Sequence, residues 1–316
     1  MDISLSELSE VKGIGEKTIQ RIREYKLADE GYISEYDEGL HLDRNSVNQG
    51  DCLKLMNGIP DKSVDMILAD LPYGTTACSW DSIIDLDKLW LQYERIIKDN
   101  GAIVLTASQP FTTKLINSNL TLYKYNWIWR KKKAGNFQLC KYQPLKVTED
   151  IVVFSKNTHN YFPIPRKLGK STKERYQHKT GGDVDKLKHM SSGEYKYNFD
   201  FGKEKGYPFN IIKFNQENKS LHPTQKPVAL FEYLIKTYTN EGEAVLDNVI
   251  GSGTTAVAAL NTGRNFIGIE KDKNYVELAR KRYEEETAQM RLYERIGGEY
   301  IDRQRLKHDE NAKPNG

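Results

Sequence analysis

The residues with the clearest chemistry are Asp70, Leu71, Pro72 and Tyr73, which close an apolar run over residues 64–69. The run reads as a buried strand bounded by turn formers. An acid, a proline and an aromatic at a strand's C-terminal end are poor packing material, and ligands of open α/β sheets collect at that edge. The trio suits methylation of an exocyclic amine on a nucleobase. Such a nitrogen is a weak nucleophile, because its lone pair is delocalised into the ring. The Asp70 carboxylate and the Leu71 carbonyl can each accept one of its N–H groups, drawing it toward a pyramidal shape with the lone pair aimed at a methyl donor. Pro72 locks φ and brings no competing N–H. Tyr73 offers a flat face to a base taken out of its stack. The competing reading is a buried strand that ends in an ordinary turn.

A second constellation lies downstream. Residues 244–246 form a short strand ending in Asp247. Gly251, Ser252, Gly253, Thr254 and Thr255 then open a helix that runs to Asn261 and stops at Gly263, and residues 264–269 form the next strand, ending in Glu270. This is a βαβ unit. Its glycines let backbone approach a ligand, and the acid at the second strand's end can accept both hydroxyls of a ribose. The separation of Asp247 and Glu270 fits the spacing of roughly 20 residues seen in nucleotide-binding units. A pyrophosphate would call for a third glycine, which is replaced here, so the unit suits a cofactor without phosphates.

Asp-Leu-Pro-Tyr at 70–73 resembles the Asp-Pro-Pro-Tyr motif of amino-group DNA methyltransferases, which make N6-methyladenine or N4-methylcytosine. Leu71 departs from the usual proline; its carbonyl is retained, but the turn is less stiff. The string His222-Pro223-Thr224-Gln225-Lys226-Pro227 is similar to the segment that precedes the methyl-donor site in that family. The resemblance implies S-adenosylmethionine as cofactor, bound by Asp51, Thr224, Lys226, Asp247, Gly251, Ser252, Gly253, Thr254 and Glu270. Thr224 and Lys226 would meet its methionine end, and Asp51 its adenine; Asp51 reads equally as a helix cap. Asn248 stands where the family has proline after the strand-end acid. Catalytic motif, basic region and cofactor motif follow the order of the circularly permuted β class. The implied reaction is direct transfer to the amine of a flipped base, with N6 of adenine favoured over N4 of cytosine and no metal required. A catalytically inactive DNA-binding regulator of the same fold is the remaining alternative.

Three other stretches point to double-stranded DNA. Residues 5–27 resemble a helix-hairpin-helix motif, in which Gly13 and Gly15 bring backbone N–H groups to a phosphate and Lys12 and Lys17 add charge; a plain helical hairpin is the alternative. In residues 156–220 apolar runs fade, and Arg166, Lys167, Lys170, Lys173, Arg175 and Lys179 are interleaved with tyrosines. Basic groups neutralise phosphates and aromatics stack on bases, and the family carries its target-recognition region here. Arg130, Lys131 and Lys132 form a further basic run, ahead of an Ala134-Gly135-Asn136 loop expected near the DNA backbone.

The elements that must position these groups read as alternating strands and helices. Helices are expected over 86–97, closed by Asn100-Gly101, from Phe111, over 228–238, and from Tyr275 to about Tyr293; further strands are expected over 102–106, 125–129 and 151–154. The fold class is α/β, a doubly wound, mostly parallel sheet of the Rossmann-like methyltransferase type. Its parts are an N-terminal hairpin (1–28), a catalytic half (45–155), the inserted recognition region (156–220), a cofactor half (221–290) and a polar tail (291–316). Residues 31–48 read as a polar connector. A chain of 316 residues can bury such a core, and a net charge of only +3 makes any nucleic-acid surface local. The 3 cysteines, Cys52, Cys78 and Cys140, are far apart and pair into no metal site. No run approaches the roughly 20 apolar residues of a membrane span, and no signal pattern opens the chain. A cytoplasmic protein, monomer or homodimer, with a cognate restriction enzyme as a further partner, is the resulting expectation.

Overall fold

The computed structural model describes residues 35–74, 82–167, 205–216 and 225–295. The expected hairpin with Lys12, Gly13, Gly15 and Lys17, together with Lys170, Arg175, Thr224, Cys78 and the tail beyond 295, lies outside the described residues. The chain divides into two compact units: Phe162–Asn210 is one, and the residues on either side of it form the other.

The larger unit contains strands β1 (Ser46–Gln49), β2 (Val64–Ala69), β3 (Ile97–Ala107), β4 (Tyr123–Gly135), β5 (Lys146–Phe154), β8 (Ile211–Lys213), β9 (Ala244–Asp247) and β10 (Asn265–Glu270). Its helices are α1 (Cys52–Leu55), α2 (Leu86–Ile96), α3 (Phe111–Ser118), α4 (Val228–Tyr238), α5 (Thr254–Asn261) and α6 (Lys273–Arg295). The eight strands make one sheet in the order β1-β10-β9-β2-β3-β5-β4-β8. β5 is antiparallel to both its neighbours, and every other pairing is parallel.

Strand β2 shows why the sheet is wound on both sides. All six of its residues are buried. Successive side chains of a strand point to opposite faces. Ile67 and Ala69 meet Leu89, Trp90, Tyr93 and Ile96 of α2 and Phe111 and Leu115 of α3. Met66 and Leu68 meet Leu230, Phe231 and Leu234 of α4, Ala256 and Ala259 of α5, and Val276 and Ala279 of α6. Each fully buried Leu, Ile or Phe contributes about 1.5–3 kcal/mol, so both helix layers are needed to hide an uninterrupted apolar strand. Helix α2 starts where the Asp85 carboxylate accepts from the N–H groups of Asp87 and Lys88. The chain winding reverses between β2 and β9, and Asp70, Asp247 and Glu270 all stand at the C-terminal ends of neighbouring strands there.

The structure corrects several element boundaries. Residues 46–49 are not connector but the edge strand β1, paired in register from Ser46↔Ile267 to Gln49↔Glu270; four residues are too few to show a period. Asn100 and Gly101 do not close a helix. α2 ends at Ile96, β3 begins at Ile97, and Gly101 lies inside the strand. A Cβ on Gly101 would come within 2.8 Å of the Asp65 carbonyl, so the glycine answers a close backbone pass. β4 runs past the expected end at residue 129 to Gly135, so the Arg130–Lys133 run and the first two residues of the expected 134–136 loop lie in the strand. β8, within the stretch assigned to the recognition region, adds a strand to the sheet beside β4. Among the described residues no helix is long and apolar enough to cross a membrane.

The smaller unit, taken by itself, contains β6 (Arg166–Lys167) paired antiparallel with β7 (Lys205–Gly206). The Arg166 guanidinium lies 3.7 Å over the Phe209 ring, and its Nε donates to the Tyr207 carbonyl.

Candidate active site

Asp70 is the first residue after β2, and both oxygens of its carboxylate accept hydrogen bonds. The Tyr73 hydroxyl donates to Asp70 Oδ1 at 2.7 Å and lies 3.1 Å from Thr106 Oγ1, which itself donates to the same Oδ1. Asp70 Oδ2 accepts from Lys226 Nζ at 2.7 Å. The Tyr73 ring stacks on Phe111 with centroids 5.3 Å apart, and the Lys226 ammonium lies 5.7 Å from its centroid. Burial first, then the charges of Asp70 and Glu149, hold the Tyr73 hydroxyl well above its ordinary pKa, so it stays a donor. The Leu71 side chain is buried in the core that faces α2 and α3, so packing secures a turn that lacks the first of the family's two prolines.

Lys226 is only 6% exposed. Its ammonium reaches Glu149 Oε2 at 3.5 Å as well as Asp70, and Glu149 Oε1 accepts from Lys131 Nζ at 2.6 Å. Burial alone would depress the Lys226 pKa, but Asp70 and Glu149 together raise it above the usual lysine value. Lys131 therefore turns inward. It shares the parity of the buried Trp127 and Trp129 along β4, whereas Arg130 and Lys132 are exposed. Sequence reasoning missed Thr106 and Glu149. Glu149 had a signal: it has the parity of Ile151 and Val153, so starting the expected strand two residues earlier puts a carboxylate on an inward face.

One cavity of about 880 Å³ joins this turn to the second constellation. Its wall includes Asp51, Asp70, Leu71, Pro72, Tyr73, Lys226, Asp247, Gly251, Ser252, Thr254 and Glu270, which are the expected site residues that the structure brings together. Gly253 is not among them. It adopts a positive φ of +84°, and a Cβ there would lie 3.0 Å from Ala279 of α6, so close packing requires the glycine. Asp51 caps α1, accepting from the Leu53 N–H at 3.0 Å, and also faces the cavity. Glu270 Oε2 accepts from the Gly251 N–H at 3.0 Å and Oε1 from the Asp272 N–H at 2.8 Å, leaving each oxygen a further lone pair.

Asp247 is turned to internal work. Its Oδ2 accepts from the Thr255 hydroxyl and its Oδ1 from the Val249 N–H at 3.1 Å, which bends the chain into the glycine turn. Burial, set against those two hydrogen bonds and aided by the charges of Asp70 and Glu270, pushes its carboxyl up to about 7. Asn248 accepts from the Tyr93 hydroxyl at 2.5 Å, so a hydrogen bond to α2 stands in for the rigidity of a proline. Of the lysines on the wall, Lys131 and Lys226 are paired with carboxylates. The hydroxyl-accepting acid on β10 and the room available fit a nucleoside with an amino-acid arm.

Comparison with known proteins bears directly on this arrangement. A family model for DNA methylases of the N6 and N4 type matches residues 64–281, which includes both constellations. The chain belongs to that DNA methylase family. This methylase is 26% identical over 252 residues to the Type II methyltransferase M.HpaI of Haemophilus parainfluenzae, covering 74% of this chain and 72% of the relative. It is 29% identical over 251 residues to the DNA adenine methyltransferase YhdJ of Escherichia coli, covering 75% and 82%. Among solved structures, the complex of M1.HpyAVI with S-adenosylmethionine aligns with a TM-score of 0.50 at 24% identity over 75% of this chain and 98% of that one. The cytosine-N4-specific PvuII DNA methyltransferase aligns with a TM-score of 0.52 at 16% identity, covering 82% and 95%. These likenesses agree with an α/β methyltransferase fold.

Proposed function

We propose that this methylase transfers a methyl group from S-adenosylmethionine to N6 of adenine in DNA, in the permuted order of the β class. The observation that carries the reading is a single cavity with Asp70, Leu71 and Tyr73 at one end and Asp51, Gly251 and Glu270 at the other. The latter three would hold the nucleoside of S-adenosylmethionine, with Ser252 and Thr254 beside them. Bound there, the cofactor supplies an electrophilic methyl group on a sulfonium. Asp70 accepts one N–H of the target amine and the Leu71 carbonyl the other, while the Tyr73 ring stacks on the extracted base. The Asp70 charge also opposes the positive charge that grows on the nitrogen. Extraction costs a few kcal/mol, offset by the stack and the amine hydrogen bonds, and positioning supplies much of the rate.

The acid at position 70 and the likeness to an adenine-specific relative support adenine. Exposed Arg130 and Lys132, with Arg166 and Lys167 of the smaller unit and the N-terminal segment bearing Lys12 and Lys17, provide phosphate contacts. A cytoplasmic setting and a cognate restriction enzyme complete the reading. The test is transfer of labelled methyl to unmethylated DNA, followed by nucleoside mass spectrometry. N6-methyladenine is expected. N4-methylcytosine would keep the fold and the role of Asp70 and overturn the choice of base. The absence of any methylated nucleoside would overturn the activity.

A further inference from the structure

The four charged groups Asp70, Lys226, Glu149 and Lys131 form one chain of ion pairs in the cavity wall, at 2.7, 3.5 and 2.6 Å. Nothing in the reaction itself calls for Glu149 or for a lysine on the catalytic carboxylate. Yet Lys226 donates to Asp70 Oδ2, and two hydroxyls occupy Oδ1. An incoming amine thus finds Oδ2, the less occupied oxygen of Asp70, already facing an ammonium. We propose that Lys226 keeps the place of the target amine in the empty site, and that Glu149 is the positioning residue that takes Lys226 over when the base arrives.

This inference rests on the methyltransferase reading above. Three observations support it. Lys226 lies within ion-pair distance of both carboxylates, so a small rotation of its flexible stem moves the charge from one to the other. Glu149 Oε2 is buried and has no well-formed hydrogen bond, its partner being the Lys226 ammonium at the long distance of 3.5 Å, so it can take a closer donor. Lys131, on the neighbouring strand β4, holds the other oxygen and fixes the carboxylate in place. The exchange also helps the chemistry. While the ammonium sits on Asp70 it cancels the charge that should face the amine nitrogen as that nitrogen becomes positive. Moved to Glu149, it leaves the Asp70 field directed at the reacting atom. The groups facing Lys226 are Asp70 and Tyr73 from the turn after β2 and Glu149 from β5, with Lys131 of β4 and Asp247 of β9 beyond them.

The test is a double-substitution cycle with Glu149→Gln and Lys226→Met in the full chain, on unmethylated plasmid DNA of mixed sequence with saturating S-adenosylmethionine. Glu149→Gln traps Lys226 on Asp70. Its KM for DNA should rise and its kcat fall, lowering kcat/KM by about tenfold or more, the size of one hydrogen bond to a charged group. Cofactor affinity, measured by calorimetry, should stay within about twofold of the parent. Adding Glu149→Gln to Lys226→Met should cost little more, because the competing ammonium is already gone. A Glu149→Gln enzyme with parental kinetics overturns the proposal, as does a loss confined to cofactor binding or an equal loss in both backgrounds. A parent enzyme that methylates no DNA would instead remove the functional reading and the inference with it.

Discussion

Leucine at position 71 and asparagine at position 248 show how this methylase departs from a familiar pattern and keeps its geometry. Leu71 trades ring stiffness for burial, and Asn248 trades it for a hydrogen bond from Tyr93. Asp70 itself should be indispensable. Asp70→Ala is expected to lower kcat by about a hundredfold or more, with calorimetric affinity for S-adenosylmethionine nearly unchanged, since Asp70 lies at the amine end of the cavity. Asp247 carries a different prediction. Its folded-state pKa of about 7 exceeds the ordinary 3.8, so the folded protein holds a proton that the unfolded chain releases. Stability from this group is therefore present at low pH and lost as pH rises from about 4 through 7. Asparagine imitates the protonated form, keeping an acceptor for Val249 and a donor for Thr255. Melting curves from about pH 5 to pH 8 should show Asp247→Asn gaining on the parent by up to a few kcal/mol as pH rises.

At the scale of elements, legibility followed burial. β2, α4, α5 and β9 could be read within a residue or so, because their apolar runs or helical spacing are uninterrupted and turn formers flank them. β1 and β8 could not, because each is a strand of three or four residues at a sheet edge that buries a single side chain. The catalytic turn was legible from its residue types. The Glu149–Lys226 pair was not, because it joins positions on β5 and ahead of α4 that only the fold brings together. Gly253 carries a second constraint that its residue type does not reveal. A glycine in a cofactor motif invites a ligand-contact reading, and this one also makes room for α6. Gly253→Ala would force a side chain into a left-handed turn against Ala279, so a loss of about 1–3 kcal/mol in denaturant unfolding is expected.

The whole molecule carries a net charge of only +3, so attraction to DNA depends on where its cations stand. Removing residues 1–28 should weaken binding to target and non-target DNA alike and flatten the dependence on salt; a loss restricted to target DNA in titrations would rule out a sequence-independent role for that segment. The β4 lysines carry a second consequence, independent of DNA. β8 pairs with β4 only from Ile128 to Arg130, so the stretch carrying Lys132 and Lys133 continues past the end of its short partner with its outer rim unpaired among the described residues. Such a rim is a template for the sheet of another molecule, and lysines along it deter stacking. Lys132→Gln with Lys133→Gln should raise self-association in light scattering with no nucleic acid present. The charges that attract a polyanion would thereby also keep concentrated copies of the enzyme apart.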